Sequence, residues 1–433
     1  MDSDIYAARR ERLAAEMRQG VAVIPTAPER ARNRDAHYPY RFDSYFYYLT
    51  GFREPDAVLV VVAGEHSRSI LFCREKNEER EIWEGFRYGP EAARERFHFD
   101  EAHATARLDE KMPELLANEP TLYCHLGADA RWDARVIGWM NEVRDRVRAG
   151  VTAPQSISDV HVLLDEMRVV KDAAEIAVMR RAADISAAAH RRAMRTARPG
   201  LAEYAIEAEL LYEFRRSGAQ APAYTSIVAS GEHACVLHYV ENDGILGDGD
   251  LLLIDAGCEL DGYASDITRT FPVNGRFTGP QRDIYELVLA AQAAAIAEVK
   301  PGQRWIAAHD AALNVLVRGF LDLGLLTGSV EQAMETESYK KFYMHRTGHW
   351  LGLDVHDAGA YKRDGEWREL VPGMVLTVEP GCYVRPGPQV PERYVGIGVR
   401  IEDDALVTDA GCDIITAAAP KSVGDIEALM RVK

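Results

Sequence analysis

Asp250-Leu-Leu-Leu-Ile-Asp255-Ala-Gly257-Cys-Glu-Leu260-Asp261-Gly262-Tyr263-Ala-Ser-Asp266-Ile-Thr-Arg-Thr270 decides how the second half of the chain reads. Four aliphatic residues ending in a carboxylate make a buried strand, and Asp261-Gly262 is a strong signal for a two-residue hairpin turn, whose central residues need positive φ. The return strand runs from Tyr263 through Thr270. With the turn at 261 and 262, Leu260 pairs with Tyr263 and Gly257 with Asp266. Asp255 then lies diagonal to Asp266 on one face, with Cβ atoms about 7 to 8 Å apart. Two acids packed in a strand-rich core repel each other and are driven to protonate unless a cation sits between them, so the hairpin points to a bound metal.

An analogous pair lies further on. Met374-Val-Leu-Thr-Val378 leads to Glu379 and is stopped by Pro380-Gly381, while Val395-Gly-Ile-Gly-Val-Arg-Ile-Glu402 alternates as a strand. Its Gly396, Gly398, Arg400 and Glu402 share a face, an open floor bearing one cation and one acid. Arg400 is placed to orient a carboxylate or bridging oxygen by charge-assisted hydrogen bonds. Between the two strands, His345, His349 and His356 fall within twelve residues. His345 and His349 have the i, i+4 spacing of a zinc-protease helix, but the acid after the first histidine is missing and Gly348 argues against a helix. His349 and His356 have opposite strand parity, so a turn near Gly352 must intervene if both reach one site.

Asp255, Asp266, His349, Glu379 and Glu402 form a hard, oxygen-rich donor set that suits two divalent metal ions, Mn²⁺ or Co²⁺ ahead of Zn²⁺ or Fe²⁺. A water shared by two such ions is acidified into a nucleophile while one ion polarises the scissile carbonyl, and nearby imidazoles can hold the oxyanion or assist the leaving amine. A lone buried acid is ordinarily a salt-bridge partner; five donors in register point instead to a hydrolase.

The 433 residues, 47% hydrophobic and 27% charged, suit a globular protein of two domains. We divide it into a mixed α/β domain over 1–170 and a second domain over 171–433. Strands are expected at Val21–Ile24, Ala57–Val62 and Ser69–Phe72, the last two as a hairpin, and helices at the very start and around Arg131–Val147. Asp172 and Glu175 form a capping box opening a long helix that Pro199-Gly200 stops, and Ile206, Leu210 and Phe214 mark another. The aromatic run Tyr45-Phe-Tyr-Tyr48 reads as a half-buried strand. Trp83, Trp350 and Trp367 read as core or interface residues at least as readily as cavity lining. No apolar run approaches the roughly 18 residues of a spanning helix, and the first twenty residues lack an export signal, so a cytoplasmic address without membrane contact is expected. Six cysteines without a C-x-x-C pair suit a reducing compartment, and a formal charge of −17 disfavours nucleic acid as a partner.

The segments Ile254-Asp-Ala-Gly257, Gly262-Tyr-Ala-Ser-Asp266-Ile-Thr-Arg-Thr-Phe271, Gly348-His-Trp-Leu-Gly-Leu-Asp-Val-His356, Thr377-Val-Glu379-Pro-Gly and Gly398-Val-Arg-Ile-Glu402 resemble the metal-dependent peptidases of the pita-bread fold. Among these the chain is most similar to the aminopeptidase P family, whose N-terminal domain is matched by Tyr38-Pro-Tyr-Arg41 through Tyr48-Leu-Thr-Gly-Phe-Arg-Glu-Pro55. The resemblance implies that Asp255 binds one ion, His349 and Glu379 the other, and Asp266 and Glu402 both. It also implies that His238, His345 and His356 assist the reaction, with Arg400 and Tyr383 in the surrounding network. The implied reaction removes an N-terminal residue from peptides with proline second, in a homotetramer or homodimer. Prolidase, restricted to dipeptides, is the nearest rival. A creatinase-like enzyme lacks the ligands this chain keeps, and a non-catalytic pita-bread binding module is disfavoured for the same reason.

Overall fold

The computed structural model describes residues 2–431 and divides into two compact units, one ending at Met167 and the other starting at Arg168. The first is built on a six-stranded mixed sheet ordered Glu101–Ala104, Arg68–Cys73, Val58–Ala63, Gly20–Pro25, Thr121–Tyr123, Ser156–Ser158. The expected hairpin is there, with Val58 opposite Phe72, and the last two strands run parallel to Gly20–Pro25. Helices Leu108–Leu116 and Ala130–Asp145 cover one face, burying Leu108, Met112, Val136 and Met140 against Val21, Val23 and Val60. Each such side chain removed from water contributes on the order of 1.5–3 kcal/mol.

The aromatic run departs from expectation: Ser44–Thr50 is a helix, not a strand. Asp43 caps it by accepting from the Phe46 backbone N–H at 2.9 Å, and Gly51, in the left-handed conformation, closes it. Phe46, Tyr47 and Tyr48 are buried, and the polar ends of Tyr45 and Tyr48 find partners in Asp165 and the Met167 carbonyl. Capping and tertiary hydrogen bonds here override a weak β propensity.

The second unit runs two long helices and then strands, twice over. Ala173–Thr196 opens with the Asp172/Glu175 capping box and is followed by Glu203–Arg216; the second round begins with Gly279–Glu298, under a Thr278/Gln281 capping box, and Ile306–Asp322. A three-stranded sheet follows each pair: Ile227–Ser230, Leu251–Asp255, Thr268–Pro272 in the first round, and Val375–Val378, Asp403–Thr408, Gly411–Ile414 in the second. This is the pita-bread plan, and in the chain it follows a mixed α/β first unit.

The single strand expected over Val395–Glu402 is broken. Gly396 has a φ of 82°, only Gly398–Arg400 is strand, pairing with Gly381–Tyr383, and the chain then changes sheet so that Asp403–Thr408 pairs with Val375–Val378. The floor beside Gly398 is not open either: a Cβ there would stand 2.3 Å from the Ala234 carbonyl oxygen, because the turn Gly231–Cys235 lies against it. Among the described residues, no helix is long and apolar enough to cross a membrane, and all six cysteines are free.

Candidate active site

Asp261 and Gly262 carry φ angles of 51° and 85°, and Leu260 pairs with Tyr263. The same register continues past an interruption in the ladder. Ser265 donates to the Cys258 carbonyl, Ala256 to that of Ile267, and Asp255 stands opposite Thr268. Asp255 and Asp266 are therefore a cross-strand diagonal. Close approach at the interruption requires Gly257, whose added Cβ would lie 1.7 Å from the Ser265 carbonyl oxygen.

The second pair repeats this arrangement with segments far apart in sequence. Leu351 donates to the Val375 carbonyl, Thr377 to that of His349, and Glu379 to that of Thr347. These hydrogen bonds set residues 347–351 antiparallel to 375–379, so that His349 is diagonal to Glu379. Gly348 permits it, since a Cβ there would meet the Thr377 carbonyl oxygen at 2.0 Å. Beyond His349 the chain turns. Gly352 donates to the Asp354 carbonyl and Asp357 to that of Trp350, which brings the His356 ring to 4.4 Å from the His349 ring, edge to face. The loop is anchored where buried Asp357 meets Arg168 at 2.5 Å and Lys171 at 2.9 Å. Glu402 joins through its backbone, which donates to the Thr268 carbonyl.

All five predicted donors line one cavity of about 750 Å³, together with His238, His345, His356 and Arg400. The tightest trio is Asp266, His349 and Glu402, one donor atom of each lying within 4.8 Å of the others. His349 Nδ1 faces the Trp350 carbonyl at 2.9 Å, which leaves Nε2 toward Asp266 at 3.5 Å and Glu379 at 3.8 Å. Each nitrogen of the Arg400 guanidinium is engaged: Nη2 donates to Asp255 at 2.7 Å, Nη1 to the Tyr383 hydroxyl at 3.0 Å and Nε to Thr268 Oγ1 at 3.1 Å. Tyr383 also meets His345 Nε2 at 2.9 Å. Of the three tryptophans weighed from the sequence as cavity lining, Trp350 is wholly buried and packs on Trp305 and Tyr361, Trp83 is 83% exposed, and Trp367 lies beneath Lys362.

Two members of the site escaped the sequence reading. Tyr224 donates to Asp255 Oδ1 at 2.5 Å and also lies against Asp266, bridging the two acids. No local pattern marks it. Thr268 donates to Glu402 Oε2 at 2.6 Å, and its parity with Asp266 on the return strand was a usable signal.

Burial works to raise every carboxyl here, and neighbours make the differences. Asp255 ends below the ordinary value because Arg400, and then the Tyr224 hydroxyl, outweigh burial. Asp266 is raised by burial and then by Asp255. Glu379 is pushed up to about 7 by burial, against the pull of His349 and Arg400, and Glu402 rises well above the carboxylate range through burial and the charges of Asp266 and Glu379. Burial alone would lower His349; Asp266 and Glu379 bring it to about 9. Burial and then Arg400 hold His345 down at about 4, and burial and then His349 lower His356. Arg400, paired with Asp255, and His349, whose raised imidazole faces Asp266 and Glu379, are the cationic groups set against these four acids, a donor set short of positive charge, and divalent cations fit it.

Residues 177–409 match the metallopeptidase family M24, and residues 6–123 match the aminopeptidase P N-terminal domain. The chain is 45% identical to the Xaa-Pro aminopeptidase of Escherichia coli, over 98% of this chain and 96% of that one, and 46% identical to that of Haemophilus influenzae, with the same coverage. In structure it is similar to the aminopeptidase PepP of Pseudomonas aeruginosa, with a TM-score of 0.98 at 50% identity over 100% of this chain and 98% of the other. Proline aminopeptidase P II from Yersinia pestis gives 0.97 at 46% identity, with both chains fully covered.

Proposed function

The chain belongs to metallopeptidase family M24, and we propose that it is a metal-dependent hydrolase releasing the N-terminal residue from peptides whose second residue is proline. The observation that carries this reading is the convergence of four carboxylates and an imidazole on one cavity, in a chain that also has the aminopeptidase P N-terminal domain. Asp255, Asp266, His349, Glu379 and Glu402 hold the metal, and the oxygen-rich set puts Mn²⁺ ahead of Co²⁺ and Zn²⁺. Bound there, divalent cations supply Lewis acidity, lowering the pKa of a coordinated water and polarising a carbonyl oxygen.

The chain's own residues do the rest. Arg400 and Tyr224 keep Asp255 ionised and fixed in direction. His349 offers Nε2 because its Nδ1 is occupied by a carbonyl. His356 and His345, kept neutral by burial, and His238 face the same space, where an imidazole can hold a substrate carbonyl or hand a proton to the departing nitrogen. That nitrogen belongs to a tertiary amide without an N–H. Leu237, Val240, Val355 and Tyr361 give the cavity apolar surface for a pyrrolidine ring.

The test is a peptide-length series assayed after metal is stripped and Mn²⁺, Co²⁺ or Zn²⁺ restored. Cleavage of Xaa-Pro-Xaa tripeptides, greatest with Mn²⁺, is expected; activity confined to Xaa-Pro dipeptides makes the chain a prolidase instead. We also propose a cytoplasmic homotetramer or homodimer, to be checked by light scattering on the eluting protein.

A further inference from the structure

In the first unit, the parallel strands Thr121–Tyr123 and Ser156–Ser158 end side by side, and directly beyond their carboxyl ends stand His125, Asp159 and His161. We propose that this corner is a second metal site, for a borderline transition-metal dication of the Zn²⁺ kind.

Each of the three residues offers one donor atom, and these atoms lie within 4.8 Å of one another. His125 Nδ1 is 3.2 Å from Asp159 Oδ2, while Asp159 Oδ1 accepts from the His161 backbone N–H at 3.0 Å, which orients the carboxylate toward the two rings. The imidazoles of His125 and His161 stack at 4.0 Å and 15°, and Tyr45 covers the other face of His161 at 3.9 Å and 15°. Tyr45 is itself held by a 2.6 Å hydrogen bond to Asp165. The ring of His161 is thus clamped before any ion arrives.

Two imidazoles and one carboxylate are a nitrogen-rich set, the reverse of the five donors in the second unit, and such sets prefer Zn²⁺, Ni²⁺ or Cu²⁺ to Mn²⁺. Metal–ligand distances of about 2.0–2.2 Å in a tetrahedron put donors roughly 3.3–3.6 Å apart, so the site closes around the fixed His161 ring when the exposed side chains of His125 and Asp159 rotate, His125 leaving its parallel stack. The side chains of His125 and Asp159 are 40% and 46% exposed, which leaves a way in and room for a water as fourth ligand. The carboxyl ends of parallel strands are also where open α/β sheets place their ligands. A bound ion would tie the end of Thr121–Tyr123 to the start of helix His161–Val169.

The experiment uses the whole 433-residue chain. Wild type, His125→Ala and His161→Gln are stripped of metal, titrated with Zn²⁺, desalted and analysed for zinc per chain, with circular dichroism and Mn²⁺-restored peptidase activity verifying the fold. Wild type is expected to hold one zinc more per chain than either variant, and the variants to bind that ion at least about tenfold more weakly. His125 is half-exposed, so its variant decides the matter even if His161→Gln, which loses its stack on Tyr45, fails to fold. Equal zinc content in wild type and folded His125→Ala overturns the proposal and leaves His125–Asp159 as a hydrogen-bonded pair.

Discussion

Asp255/Asp266 and His349/Glu379 are the same device made in two ways. Both are cross-strand diagonals, both need a glycine where two backbones come too close for a Cβ, and both face one cavity. The first closes over a two-residue turn, so its loop entropy is small and its register follows from local φ preferences. The second joins segments about thirty residues apart and depends on an anchor outside both strands, the Asp357 carboxylate between Arg168 and Lys171. A local pair is self-registering, whereas a long-range pair needs a tertiary clamp.

The largest expected effect treats both pairs alike. Asp266→Asn and Glu379→Gln should each lower hydrolysis by at least about a thousandfold, roughly 4 kcal/mol in barrier, while circular dichroism stays native. If one variant keeps turnover within tenfold of wild type, the two diagonals do not serve one centre.

Next comes the clamp. Asp357→Asn takes the carboxylate from buried Lys171, while Arg168 keeps Asp354 at 2.7 Å, and should cost about 3 kcal/mol in urea unfolding. Burial would raise the Asp357 carboxyl, but Lys171 and Arg168 outweigh it and hold its folded pKa below the ordinary value. Its contribution is therefore complete above about pH 4, the unfolded value, and is lost as pH falls through the depressed folded value. A wild-type stability curve falling more steeply below pH 4 than that of Asp357→Asn is the expected result; parallel curves would falsify the clamp.

The glycines sharpen the contrast. Gly257→Ala and Gly348→Ala each drive a Cβ into a carbonyl oxygen and should cost about 1–3 kcal/mol or more. Hydrogen exchange should separate them: Gly257→Ala deprotects the hairpin around 251–272, and Gly348→Ala deprotects 347–351 and 375–379. Exchange spreading identically in both variants would mean the pairs do not open separately. The smallest effect is expected from Tyr224→Phe, which removes the hydroxyl shared by Asp255 and Asp266 and should weaken metal retention by about 10–100-fold without unfolding the chain. Unchanged metal content under competing chelator would reduce Tyr224 to a packing residue.

Legibility in the sequence followed the same divide. The Asp261-Gly262 turn, the capping box at Asp172 and Glu175, and the i, i+4, i+8 spacing of Ile206, Leu210 and Phe214 all act within a few residues, and the structure has each of them. Tyr45–Tyr48 misled because its helix depends on the Asp43 cap together with partners more than a hundred residues away. Alternation over Val395–Glu402 misled because period two says which way a side chain points and nothing about which sheet it joins, and here the chain changes sheets between Arg400 and Asp403.

Local order alone therefore settles the hairpin, the helix starts and the identity of the acids, since turn chemistry, capping and side-chain parity are short-range and leave their mark in adjacent letters. Only the folded chain brings Tyr224 between two acids, sets residues 347–351 against 375–379 and seats Asp357 between two cations. Those juxtapositions depend on contacts that no spacing encodes. They form where burial leaves a polar group no water, so that it must find its partner across the core.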